Sequence, residues 1–120
     1  MFGIGINPIQ RWEAFPSTTT LAKDGTDSAT WDMSKFAKPQ GAFCVYVACS
    51  GTGTLLVQFA TSGDGVNYVT DPTNVVAAQA SDDAWYAYSI QPKVGTHLKI
   101  IITENDVNPL TAVTVVVNCN

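Results

Sequence analysis

Residues 42–70 read AFCVYVACSGTGTLLVQFATSGDGVNYVT, and the fold is decided there. Ala42 to Cys49 is apolar at both odd and even positions, the pattern of a central strand covered on both faces. Ser50-Gly51-Thr52-Gly53 supplies turn residues. From Thr54 to Thr61 the side chains alternate, with Leu55, Val57 and Phe59 on one face and Leu56, Gln58 and Ala60 on the other. Ser62-Gly63-Asp64-Gly65 then leads into Val66-Asn67-Tyr68-Val69-Thr70. Asp-Gly between two strand-like runs is a strong short-range hairpin signal, because its turn needs a positive φ that glycine adopts freely. The expectation is a hairpin joining Thr54–Thr61 to Val66–Thr70, with Gly65 at positive φ.

Outward from this stretch the same grammar repeats. Downstream come a weaker strand near Val75 to Gln79 and a stronger one, Ala84 to Gln91, with Trp85, Tyr86 and Tyr88. Thr96 to Thr103 alternates Leu98, Ile100 and Ile102 inward against His97 and Lys99 outward, and Leu110 to Cys119 is rich in valine. Upstream lie a short strand from Ala29 to Met33 and a β-rich run, Ser17 to Ala22, closed by Lys23-Asp24-Gly25. Short strands punctuated this regularly predict an all-β domain, a single antiparallel β-sandwich of jelly-roll or immunoglobulin-like type, spanning residues 17–120. Residues 1–16 lack alternation and carry Phe2, Ile4, Ile6, Ile9, Trp12 and Phe15 with Pro8 and Pro16. They read as an extended N-terminal arm, whose six large apolar side chains are the candidate interface, since apolar surface of this kind marks interaction sites.

Composition narrows the function. Of the 120 residues 46% are apolar and only 13% charged, with a formal net charge of −4. A soluble domain ordinarily carries about a quarter charged residues, so this surface suits a chain that hides itself against other copies. Lysines and arginines are scattered singly, with no basic stripe to neutralise phosphates, which argues against nucleic acid. No apolar run reaches the roughly 20 residues of a membrane span. The N-terminus lacks a basic residue ahead of its apolar part, so no signal peptide is expected and folding in a cytoplasm is. Three cysteines, Cys44, Cys49 and Cys119, make an odd set; Cys44 and Cys49 sit five apart on one strand and so face opposite ways. They read as packed free thiols, a disulfide of Cys119 being the alternative.

Catalysis finds little to work with. The one histidine, His97, is expected on an outward strand face, and the mid-strand cysteines lie in apolar surroundings that disfavour a thiolate. The carboxylates Asp24, Asp27, Asp64, Asp71, Asp82, Asp83, Glu104 and Asp106 all fall in expected turns, where aspartate bonds its own backbone. Asp24-x-x-Asp27 offers hard oxygens for calcium but no complete loop. The expectation is no enzyme, no cofactor and no metal. The aromatics Trp12, Trp31, Tyr68, Trp85, Tyr86 and Tyr88 read first as core or interface anchors, and alternatively as a platform for stacking sugars.

Gly51 to Thr70, GTGTLLVQFATSGDGVNYVT, resembles a segment of small structural virion proteins of tailed bacteriophages: a Gly/Thr turn, an amphipathic strand, then Ser-x-Asp-Gly-x-x-aromatic. Upstream, TTTLAKDGTDSATWDMSKF (18–36) is similar to the strand, polar turn and Trp-Asp-hydrophobic-Ser element that precedes it. The resemblance implies a capsid decoration subunit, or a tail or fibre-base component, residing in the virion and partnered by its own copies and other virion proteins. Similar patterns occur in carbohydrate-binding β-sandwiches, so a glycan-binding or adhesin-like module is the alternative.

Overall fold

The structure is a computed structural model that describes residues 10–34, 43–80, 86–90, 96–105 and 107–119, the side chains of 76–80 and 119 excepted. Its eight strands are β1 (Gln10–Leu21), β2 (Thr26–Asp32), β3 (Phe43–Gly51), β4 (Thr54–Ser62), β5 (Thr73–Ala80), β6 (Tyr86–Ile90), β7 (His97–Glu104) and β8 (Leu110–Cys119). They form two four-stranded sheets, ordered β1-β8-β3-β6 and β2-β7-β4-β5. All pairings are antiparallel. The chain is thus an all-β sandwich. Its pairs β1·β8, β2·β7, β3·β6 and β4·β5 match each strand with its counterpart counted from the other end of the chain. This nesting is the strand order of an eight-stranded jelly roll.

Alternation builds the core. Val45 and Val47 of β3, Leu55 and Val57 of β4, Leu98, Ile100 and Ile102 of β7, and Val113, Val115 and Val117 of β8 are almost completely buried between the sheets. β-Branched residues dominate because their stiff side chains suit a pleated surface covered on one side. At one open side of the sandwich Trp12 of β1 stacks on Trp31 of β2, ring centroids 5.3 Å apart and planes 18° from parallel. Each ring thereby covers a face of the other and seals the gap between the sheets.

The arm expected over 1–16 needs correction. Residues 10–16 belong to β1 and pair with β8 from Gln10↔Cys119 to Phe15↔Val115. Phe15 is a buried core residue and Trp12 packs against the core, so neither is held out for a partner. Alternation was illegible there because β1 breaks register with β8 three times, before Phe15 and on either side of Thr19, around a proline that cannot donate to a ladder. Phe2, Ile4, Ile6 and Ile9 lie outside the described residues.

The Asp-Gly hairpin also differs from expectation. Gly65 has the expected positive φ, 78°. Yet β4 pairs along its length with β5 and β7, and Val66–Thr70 contributes only the bridge Ser62↔Tyr68 and the bond from Val69 N–H to the Thr61 carbonyl. The loop folds back over β4 because Ser62 and Asp64 take up its N–H groups before a ladder can. Ser62 Oγ accepts from the N–H of Asp64 and of Gly65, and donates to Asp64. Asp64 Oδ1 accepts the N–H of Val66 and of Asn67.

Candidate functional site

Two places concentrate polar chemistry, and a third is set apart by its lack of charge. The first is Glu104, the last residue of β7, which continues the inward phase of Leu98, Ile100 and Ile102 and is fully buried. Its carboxylate sits beneath three turns. Oε1 accepts the Asp24 N–H at 3.0 Å from the β1–β2 turn, Oε2 accepts the Thr54 N–H at 3.1 Å where β3 passes into β4, and both accept the Val107 N–H at 3.1 Å from the β7–β8 turn. Burial pushes its pKa upward, but the N–H groups of Thr54, Asp24, Val107 and Asn108 outweigh it and hold the carboxyl below its ordinary value. The turns interlock there: a Cβ on Gly53 would lie 2.1 Å from the Asn108 carbonyl oxygen, so only glycine permits that approach. Glu104 was expected in a polar turn; it is a structural pin. Its signal in the sequence was the strand's own two-residue phase, which runs one step further than the apolar residues do.

The second place is on the outer side of the same sheet, where the Asp64 loop meets β2 and β7. Asp64 is held far below the ordinary carboxylate range by the N–H groups of Asn67 and Val66, then by the Asn67 amide and the Ser62 hydroxyl. His97, expected to project from the surface, is half-buried. Its Nδ1 lies 2.7 Å from Thr96 Oγ1 and its Nε2 3.5 Å from Asp32 Oδ1. Its ring edge packs on Gly65, where an added Cβ would stand 2.8 Å from Nε2. Hydroxyl, imidazole and carboxylate follow in the order of a nucleophile relay, but 3.5 Å is too long for a directing hydrogen bond. Asp32 Oδ1 is also engaged by the N–H and hydroxyl of Ser34, and Gly65 closes one edge of the ring. The cluster latches the loop to the sheet. Beside it Lys99 Nζ lies 4.2 Å from the centre of the Tyr68 ring, a cation–π contact. Burial, with the Asp64 and Asp32 carboxylates, raises the Tyr68 phenol above its usual pKa. Between the loop and β4 opens a groove of about 590 Å³ with Phe59, Thr61, Tyr68, Asp71 and Thr73 among its walls.

The third is a surface. β8, β3 and β6 contain no charged residue, and their outer positions align in rows. Asn118, Cys44 and Ser89 form one row, and Val116, Tyr46 and Ala87 the next. Among the described residues, charge enters this face only at edge strand β1, through Arg11 and Glu13 in the same rows. Val116 is buried although it lies on the outer side.

The remaining expectations fall as follows. Cys44 is a free thiol and Cys49 is buried in the core; the side chain of Cys119 lies outside the described residues. Asp27, expected in a turn, is in β2, where its carboxylate accepts the N–H of Ser28. Among the described residues no three acidic, histidine or cysteine side chains cluster as metal ligands, and no helix is long and apolar enough to cross a membrane. Trp12 and Trp31 spend a face each on one another, and Tyr86 and Tyr88 are half-buried on β6 in register with core residues Val47 and Val45. Trp85, Asp82, Asp83 and Asp106 are outside the described residues. No family model matches the chain, and no curated protein matches it.

Proposed function

We propose that this chain is a structural subunit of a virion, a capsid-decoration or tail and fibre component of a tailed bacteriophage that self-assembles through its sandwich. The observation that carries the assembly reading is the uncharged outer face of β8, β3 and β6. An antiparallel sheet that faces water on one side alternates apolar and polar residues and dresses its wet face with charge; this one puts Val116, Tyr46, Cys44 and Ala87 there. Large contiguous patches of this kind mark interaction surfaces. The virion assignment rests on the resemblance of residues 51–70, and the jelly-roll order agrees with it by fold analogy, since that architecture serves viral capsid and lectin domains alike. Sedimentation and light scattering of the native protein, with electron microscopy of the particles formed, test the reading. Closed or filamentous assemblies, or docking on a phage particle, are expected, and a monomer at all concentrations overturns it.

A glycan-binding role is the second reading, and the groove beside Tyr68 favours it. Two aromatic residues, Phe59 and Tyr68, three threonines and Asp71 line a volume within the usual range for small-ligand sites. Calorimetric titration with a panel of oligosaccharides separates the two: a saturable signal lost in Tyr68→Ala selects the glycan reading.

A further inference from the structure

We infer that the groove between the Asp64 loop and β4 takes saccharides that carry free, protonated amino groups and turns acidic saccharides away. The inference rests on the glycan reading above and names the class of sugar that reading leaves open.

The walls of this groove are held in place by the fold. One wall is β4 with the start of β5, where Phe59 stands opposite Thr73 in the sheet register. The other runs from Tyr68 to Asp71 and is tied to β4 by the Ser62↔Tyr68 bridge and by the bond from Val69 N–H to the Thr61 carbonyl. The Tyr68 side chain is held as well. Lys99 of β7 sets its ammonium over the ring, and Thr30 of β2 hydrogen-bonds the phenol. An aromatic residue fixed before its ligand arrives loses little freedom on binding, which favours affinity. A sugar ring presents a face of C–H groups and a rim of hydroxyls. The mixture of aromatic residues and threonines along the groove matches both.

Charge decides the class of sugar. Among the described residues that line the groove, Asp71 alone is charged. The Lys99 ammonium is directed at the Tyr68 ring, and the Asp64 and Asp32 carboxylates both lie close enough to raise the Tyr68 phenol. Carboxylates therefore outnumber ammonium groups around this wall, and Asp71 adds another at the groove itself. An acidic sugar entering there meets like charge, whereas a protonated amine meets a carboxylate. The formal net charge of −4 acts on the encounter in the same direction. The groove belongs to the sheet β2-β7-β4-β5 and the uncharged face to β1-β8-β3-β6, so sugar binding and assembly do not compete for one surface.

The test is calorimetric titration of the full chain with three oligosaccharides of equal length, built from glucosamine, glucose and galacturonic acid, at a pH where the amine is protonated. Glucosamine should bind tightest and galacturonate weakest. Asp71 is exposed and precedes the start of β5, so Asp71→Asn leaves the sandwich intact, as a thermal melt verifies. This variant should weaken glucosamine binding by about two- to fivefold, the worth of one exposed ion pair, and leave glucose binding unchanged. Added salt should erode the glucosamine preference of the wild type, because exposed charges are screened. Glucose or galacturonate bound as tightly as glucosamine, or an Asp71→Asn variant that weakens glucosamine no more than glucose, overturns the charge selection and leaves the groove as a glycan site. A chain that binds none of the three overturns the glycan reading as well.

Discussion

Glu104 concentrates at one carboxyl what three turns require. Backbone N–H groups that leave water must find acceptors, and a buried anion must find donors; the Asp24, Thr54 and Val107 amides and Glu104 settle both demands at once. Glu104→Gln keeps the shape but turns one acceptor into a donor aimed at donors. We expect this change to lower the melting temperature more than Asp27→Asn on exposed β2, as thermal melts at neutral pH would register. The pH dependence follows from linkage. The folded pKa lies below the ordinary value of 4.5, so on acidification the unfolded chain binds the proton first and stability falls with pH. The contribution is complete above about pH 4.5 to 5 and drains away as pH drops through the depressed folded value. Asp64, depressed by its own loop amides, acts in the same direction. Glu104→Gln should therefore flatten part of the acid limb and leave a remainder; an acid limb identical to wild type would mean that the carboxylate charge does not hold the turns.

At the scale of elements, the sequence located strands well and their neighbours poorly. The expectation over Leu110 to Cys119 coincides with β8, and Thr96–Thr103 and Thr54–Thr61 fall within a residue of β7 and β4, because each keeps a clean two-residue period over a buried face. What failed was whatever depends on partners distant in the chain. β1 begins seven residues earlier than expected because pairing with β8, at the far end of the chain, overrides its irregular pattern. The uncharged outer face was anticipated as a covered strand at 42–49, but the rows across β8, β3 and β6 need the register. The 62–70 loop shows the same division. Gly65 was legible, since Asp-Gly demands positive φ, while His97 lying on it was not. Gly65→Ala is expected to cost about 1–2 kcal/mol, from the left-handed backbone and from displacing the imidazole. Adding His97→Ala removes the obstacle and should recover part of that loss in a double-mutant cycle; a fully additive cycle would refute the contact. Asp64→Asn should be mild but measurable, because an amide retains the Val66 and Asn67 bonds and loses the one from Asn67 Nδ2 to Oδ2.

For the whole molecule, the nested pairing ties the integrity of the sandwich to its first strand. β1 closes one edge of its sheet on β8, places Phe15 in the core and sends Trp12 across to Trp31 on the opposite sheet. Removing residues 1–16 deletes both aromatics and the pairing from Gln10 to Phe15. It leaves the edge of β8 bare along Val115 to Cys119. Truncating a buried phenylalanine alone costs about 3–5 kcal/mol, and an aromatic pair adds about 1 kcal/mol beyond its buried area. A domain of this size has about 5–15 kcal/mol in all. A chain beginning at Ser17 should therefore be unfolded or aggregated. A chain beginning at Gln10 retains every described core residue and should melt cooperatively. Far-ultraviolet circular dichroism and calorimetry on the two truncations decide the matter, read alongside their sedimentation. A 17–120 chain that melts near the full-length value would show that 10–16 is dispensable to the sandwich and return it to service as an arm. If instead only the 10–120 chain folds, and it assembles as the full chain does, association belongs to the sandwich itself and not to Phe2, Ile4, Ile6 and Ile9.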